Sequence, residues 1–181
     1  MIYLIRFCVA ISIVVLFSSC SVKYANNSNT NKITKLQNDI MSLSSNVDKL
    51  ESTKVATVAI LHSKKLANEY DLVSPPLYHN SLVQMGFRKR GLCFHFTQDL
   101  MTELKKLKLK TLDLRWVTHA KAQYWEHSSL VIVEKGKSID EGLIFDAWRN
   151  SGELYWATFK KDSKYSWIED IKRSKYYGTV K

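Results

Sequence analysis

The sequence predicts an α+β protein in which N-terminal helices pack on an antiparallel β-sheet. Three observations carry this expectation. Cys93, Phe96, Leu100, Leu104 and Leu107 recur at helical spacing, so one face of that segment is apolar. The period then changes to two across LDLRWVT (112–118), HSSLVIVE (127–134), GLIFDAWR (142–149) and LYWATF (154–159), as strands require. Turn-forming Lys135-Gly136-Lys137 and Asn150-Ser151-Gly152 separate successive strands, which makes them a meander of hairpins.

Ahead of these elements, MIYLIRFCVAISIVVLFSSC carries Arg6, an apolar run from Phe7 to Phe17, and small residues leading into Cys20. That run is too short for a stable membrane span, so residues 1–19 read as a signal peptide. Its end, Leu16-Phe17-Ser18-Ser19-Cys20, resembles the bacterial lipoprotein signal. The resemblance implies that Cys20 is acylated, becomes the first mature residue and takes membrane lipid as its partner. Each buried CH2 of such a chain contributes about 0.8 kcal/mol. Ser21, where an Asp resembles an inner-membrane retention signal, points to the periplasmic face of the outer membrane or to the cell surface.

Residues 20–32 are polar and aperiodic, and read as a flexible tether. Ile33, Leu36, Ile40, Leu43, Val47 and Leu50 then recur at alternating steps of three and four. This is an apolar seam at coiled-coil spacing, and it predicts an amphipathic stalk over 33–54. So short a seam either pairs with a second copy of the chain, making a homo-oligomer through Ile33 to Leu50, or packs on its own domain.

The globular domain spans 55–181. Val58, Leu61, Lys65 and Leu66 predict a helix that ends before Ser74-Pro75-Pro76, and LYHNSLVQMGFRKRG reads as a connection into Cys93. With 27 Lys and Arg against 17 Asp and Glu the chain is basic. In an exported protein the acidic neighbours are lipid head groups, surface polysaccharide or cell wall, not nucleic acid. Lys105, Lys106, Lys108 and Lys110, with Lys160, Lys161 and Lys164, are candidates for such contacts or plain solvated faces.

Cysteine usage sharpens the reading. The leader removes Cys8 and acylation consumes Cys20, leaving Cys93 as a lone thiol in a compartment that oxidises thiols in pairs. It follows Arg88, Lys89, Arg90 and Gly91 and opens a helix, where unpaired N–H groups stabilise a thiolate. Downstream strands carry His127 and Asp146, a base and an acceptor to orient it. A two-residue turn centred between Gly136 and Lys137 would put these two directly opposite each other on one face.

The order Cys93, His127, Asp146, with the segments GLC, EHSSLVI and FDAW between about 68 and 156, resembles the papain-like fold in its bacterial transglutaminase-like form. That resemblance implies a papain-like core in which Cys93 attacks an amide carbonyl, His127 is the base and Asp146 orients it. The implied activity is a cysteine amidohydrolase or acyltransferase acting on peptide or peptidoglycan amides, without a cofactor. The alternative is a non-enzymatic envelope lipoprotein whose inactive scaffold binds cell wall or protein partners. Asn80 or Gln84 is the candidate oxyanion donor, His119 a candidate substrate contact, and the five tryptophans either groove lining or core. His95, two residues past Cys93, points away from it. The absence of an HExxH motif and of a second usable cysteine argues against a metal site.

Overall fold

The computed structural model describes residues 29–179. The expected signal peptide, Cys20 and most of the tether lie outside the described residues. No helix among those described is long and apolar enough to cross a membrane.

Two helices open the fold, α1 (Thr30–Met41) and α2 (Lys49–Glu69). The segment expected to be a continuous stalk is therefore broken between Met41 and Lys49. Asp48 caps α2, its carboxylate accepting from Glu51 N at 2.8 Å. The apolar seam packs within the chain: Leu36 and Ile40 are fully buried in the main core, whereas Leu50 is exposed. Ile33 and Leu43 of the same seam are partly buried against that core.

The buried stripe of α2 is Ser52, Val55, Ala56, Ala59, Ile60, Ser63, Leu66 and Ala67. It is not the Val58–Leu61 face that the apolar pattern suggested; Leu61 is exposed. Small residues, Ser52, Ala56, Ala59, Ser63 and Ala67, make up much of this inner face. The stretch after Pro75 is also more regular than expected. It forms α3 (Pro76–Gln84), with Pro at the first helical position, where its missing N–H costs nothing.

Helix α4 (Cys93–Lys105) buries Phe96, Leu100, Met101 and Leu104, the face its periodicity specified. Each such side chain contributes roughly 1.5–3 kcal/mol. It packs on a five-stranded antiparallel sheet of β1 (Leu112–His119), β2 (His127–Glu134), β3 (Leu143–Asn150), β4 (Glu153–Thr158) and β5 (Ile168–Glu169). The order β4-β3-β2-β1-β5 makes β2 the central strand, and His127 through Val133 are buried on both faces. Leu130, Ile132 and Phe145 face the helices, while Val131, Val133 and Ile144 form a smaller cluster with Val117 and Trp167 on the other face. A last helix, α5 (Ile171–Tyr177), packs beside β1.

The β3–β4 hairpin turns through Ser151 and Gly152, both at positive φ, as a two-residue turn of the first primed type requires. The β2–β3 connection differs from the expected tight turn. It occupies 135–142 and includes a 3-10 turn, Ile139–Glu141. Gly136, at φ +80, sits third in a turn closed by Lys137 N on Glu134 O, instead of at the first central position. The strands consequently pair Leu130 with Phe145 and Val131 with Ile144, a shift of two from the register expected for 127 opposite 146.

Candidate active site

A shift of two preserves the face, because side chains alternate with that period. His127 and Asp146 are therefore diagonal neighbours instead of direct partners, and they still meet: His127 Nε2 donates to Asp146 Oδ2 at 2.7 Å. Both are buried, at 4% and 1% exposure, where a hydrogen bond between them is little weakened by water. They lie at the end of the sheet where β2 begins. Here the N-terminus of α4 arrives from the helical face and brings Cys93 beside Glu126 and His127. The thiol approaches Glu126 O at 3.8 Å, and with Nε2 held by Asp146 the nitrogen left to face sulfur is Nδ1.

Charge on these groups follows from their surroundings. Burial by itself pushes the His127 imidazole down. The Asp146 carboxylate, by charge and by hydrogen bond, and the neighbouring Cys93 overcome this and raise it to about 9. His127 is accordingly cationic at neutral pH. Burial likewise opposes ionisation of Asp146, but His127 and Arg149 hold its carboxyl below the usual range. Asp146 accepts four hydrogen bonds: from His127 Nε2 and Arg149 Nε at Oδ2, and from the backbone N–H groups of Trp148 and Arg149 at Oδ1.

Arg149 was not legible as part of this site. Its guanidinium also forks onto Asp162 at 2.9 and 2.6 Å and lies over the Tyr155 ring at 4.0 Å. Asp162 in turn accepts from Trp167 Nε1. The His127 ring is walled by Trp148, Tyr165 and Trp167, with centroids at 4.9, 4.5 and 5.3 Å. Only the arginine three residues past Asp146 in a largely apolar strand could have hinted at this arrangement; Tyr165 and Trp167 come from a segment with no periodicity.

Two histidines, neither of them a base, fix the start of α4. His95 Nδ1 accepts from both Gly91 N and Leu92 N at 3.2 Å, satisfying backbone donors that the helix start leaves open. Burial, and next the Arg90 guanidinium, push its imidazole down to about 4, which keeps that acceptor lone pair available. His79 is fully buried, its Nδ1 accepting from Val73 N and its Nε2 bonded to Arg90 O. Gly91, at φ +118, presses on that ring so closely that a Cβ would stand 2.1 Å from His79 Nε2.

The thiol opens into a cleft of about 460 Å³, lined among others by Asn80, Gln84, Trp125, His127, Trp148 and Tyr165. Both candidate oxyanion amides are thus on its wall. Asn80 is the oriented one: its Oδ1 accepts from Trp148 Nε1 at 3.1 Å, leaving Nδ2 as donor. His119 is not in this lining and accepts instead from Ser166 N at 3.1 Å. Of the tryptophans, Trp125 and Trp148 line the cleft, while Trp116 and Trp167 are core. Trp156 donates to Asp39 at 2.8 Å and ties α1 to the sheet.

Among the described residues no three His, Cys, Asp or Glu side chains converge to hold a metal ion. Chemically, the arrangement offers a nucleophile at a helix start, a cationic imidazole beside it and a fully solvated-by-protein carboxylate behind. Compared with known protein families, with curated proteins and with solved structures, the chain shows no match.

Proposed function

We propose that this chain is a lipid-anchored cysteine amidohydrolase or acyltransferase with a transglutaminase-like, papain-like core, acting on peptide or peptidoglycan amide bonds. The observation that carries the reading is the 2.7 Å contact of His127 with Asp146 beside Cys93 at the head of a buried helix. Cys93, its proton already on the His127 imidazole, attacks the amide carbonyl carbon as a thiolate, and the carbonyl π electrons move to oxygen. In this reading the Cys93 backbone N–H and Asn80 Nδ2 receive that oxyanion, which the orientation of Asn80 by Trp148 supports. As the tetrahedral intermediate collapses, the C–N bond breaks and His127, cationic beforehand, gives its proton to the leaving amine. Water or a second amine then attacks the thioester, His127 takes the incoming proton, the C–S bond breaks, and Cys93 leaves as the thiolate, which restores the starting thiolate–imidazolium pair. Asp146 keeps the imidazole in position and stabilises its charged form throughout.

The reading is tested by alkylation of Cys93 with iodoacetamide near neutral pH, compared in the native chain and in His127→Ala. Labelling of native Cys93 faster than a free cysteine, and slowed by the substitution, is expected. A rate no faster than free cysteine and indifferent to His127 would leave Cys93 as packing only, and the chain as a non-enzymatic binding protein. Incubation with purified cell wall and peptide libraries, read by mass spectrometry and controlled with Cys93→Ala, then identifies the bond cleaved or formed.

A further inference from the structure

Beside the cleft mouth the chain presents a face that shares Tyr124 and Trp125 with the cleft and otherwise lies outside it. On α5, Ser174 is buried while Ile171, Lys172, Lys175 and Tyr176 point outward, so one helical face carries two apolar and two cationic side chains. Neither Lys172 nor Lys175 has a carboxylate within ion-pair range among the described residues. The β1–β2 loop is bolted to this helix at two points: Lys121 pairs with Asp170 at 2.8 Å, and Arg173 pairs with Glu126 at 2.8 Å. That loop carries Tyr124 and Trp125, 85% and 69% exposed, with their rings edge to face. Ile168, just before α5, is 69% exposed.

We propose that this composite face, the outer side of α5 with the tip of the β1–β2 loop, seats the domain on an anionic lipid bilayer. An acidic polysaccharide would answer the lysines but gives no reason for isoleucines in water; a bilayer answers both. Tryptophan and tyrosine favour the head-group layer, isoleucine the acyl boundary beneath it, and lysine the anionic head groups. Resting here on the anchored reading, residues 21–28 between Cys20 and Asn29 reach at most about 30 Å, which keeps the domain beside a bilayer. Helix α1 is tied to β4, at the sheet edge away from α5, so the composition of the face, not the tether, selects the side. Since Tyr124 and Trp125 also line the cleft, a domain seated this way has its cleft mouth at the lipid surface, within reach of membrane-attached substrates.

The test uses the full chain reconstituted in vesicles of brominated phosphatidylcholine with phosphatidylglycerol, or with zwitterionic lipid alone. Trp125 is the one tryptophan among the exposed large apolar residues, so bromine quenching of its fluorescence reports contact. Expected is a quenched component on anionic vesicles that disappears in Trp125→Phe, is lost in Lys172→Glu/Lys175→Glu, and is unchanged in Cys93→Ala. The last result separates this surface from the catalytic reading. A component that is absent, equal on both lipid mixtures, or indifferent to the lysine changes overturns the proposal. So would protection of Lys172 and Lys175 from acylating reagents by soluble heparin but not by anionic vesicles, which would assign the face to an acidic polymer.

Discussion

Arg149 and His127 share a single oxygen of Asp146: Nε of the arginine donates to Oδ2 at 3.0 Å and Nε2 of the histidine at 2.7 Å. The carboxylate that steadies the imidazolium is therefore also half of a buried Asp146–Arg149–Asp162 bridge. Orientation of the His127 imidazole and fold stability are coupled through one atom.

Asp146→Asn keeps the shape of that junction but removes its charge. In a serine triad the same change costs about 10⁴ in turnover. A smaller loss is expected here, because a thiol is more acidic and intrinsically more nucleophilic than a serine hydroxyl and depends less on its base. Once a substrate is in hand, turnover by Cys93→Ala, His127→Ala and their double variant should be nearly equal, since the residues act as one unit. Losses that multiply independently would break the triad apart.

Arg149→Met leaves Asp146 and Asp162 facing each other without their shared cation. With the guanidinium only 7% exposed, the loss of stability should be about 3–5 kcal/mol, read from denaturant midpoints. In the fraction that folds, His127 should hold its proton more tightly, because the arginine that competes for the same Asp146 oxygen has gone. Imidazole proton shifts measured against pH give the answer directly.

Stability should also fall with rising pH for the native chain. His127 is raised from an unfolded value near 6.5 to about 9, so the folded state binds its proton more tightly than the unfolded one does. The contribution is complete below about pH 6.5 and is lost as pH climbs through 9. Urea midpoints between pH 6 and 10 should decline more steeply in the native chain than in His127→Gln; parallel curves would contradict the assignment.

Gly91→Ala confronts both a positive φ and a wall. Its Cβ would sit 2.1 Å from His79 Nε2, and that ring is fastened through both nitrogens. A loss of about 2–5 kcal/mol is expected in thermal or chemical unfolding. The folded fraction should also show slower Cys93 alkylation, because the start of α4 must move. His79→Ala, which makes room for the added methyl, should recover part of that alkylation rate in the double variant.

Leu36→Ala should cost about 2–5 kcal/mol, as a fully buried core truncation. Ile40→Asp should unfold the domain outright instead of dissociating an oligomer. Equilibrium sedimentation of the milder variant, unchanged in mass but destabilised, distinguishes a helix that belongs to the core from a pairing stalk.

What the sequence disclosed follows from period and length. Strand β2 and helix α4 were readable because each runs through several repeats of one period. Asp146 was readable as a partner of His127 even though the register was two residues off, since a slip of two leaves a side chain on its face. The slip itself came from Ile139–Glu141, a 3-10 turn too short to leave a periodic trace. For the same reason β5, with two residues, and α5, with seven, escaped notice. The seam of α1 had the right spacing for a coiled coil, and spacing does not say whether the covering surface belongs to the same chain. Arg149, His79 and His95 became legible only once folding had brought distant backbone groups within their reach.

The three chemical groups of the cleft come from separate pieces: one heads a helix, and the others stand on adjacent strands whose pairing closes a connection of residues 135–142. Nothing local holds them together. A chain that has paired β2 with β3 but has not docked α4 has an oriented imidazole and no nucleophile; one with α4 alone has an ordinary thiol. Competence thus arrives at once, with the long-range contact that completes the core. Before that contact forms Cys93 is an ordinary thiol, and on the proposed reading folding itself is what switches it on.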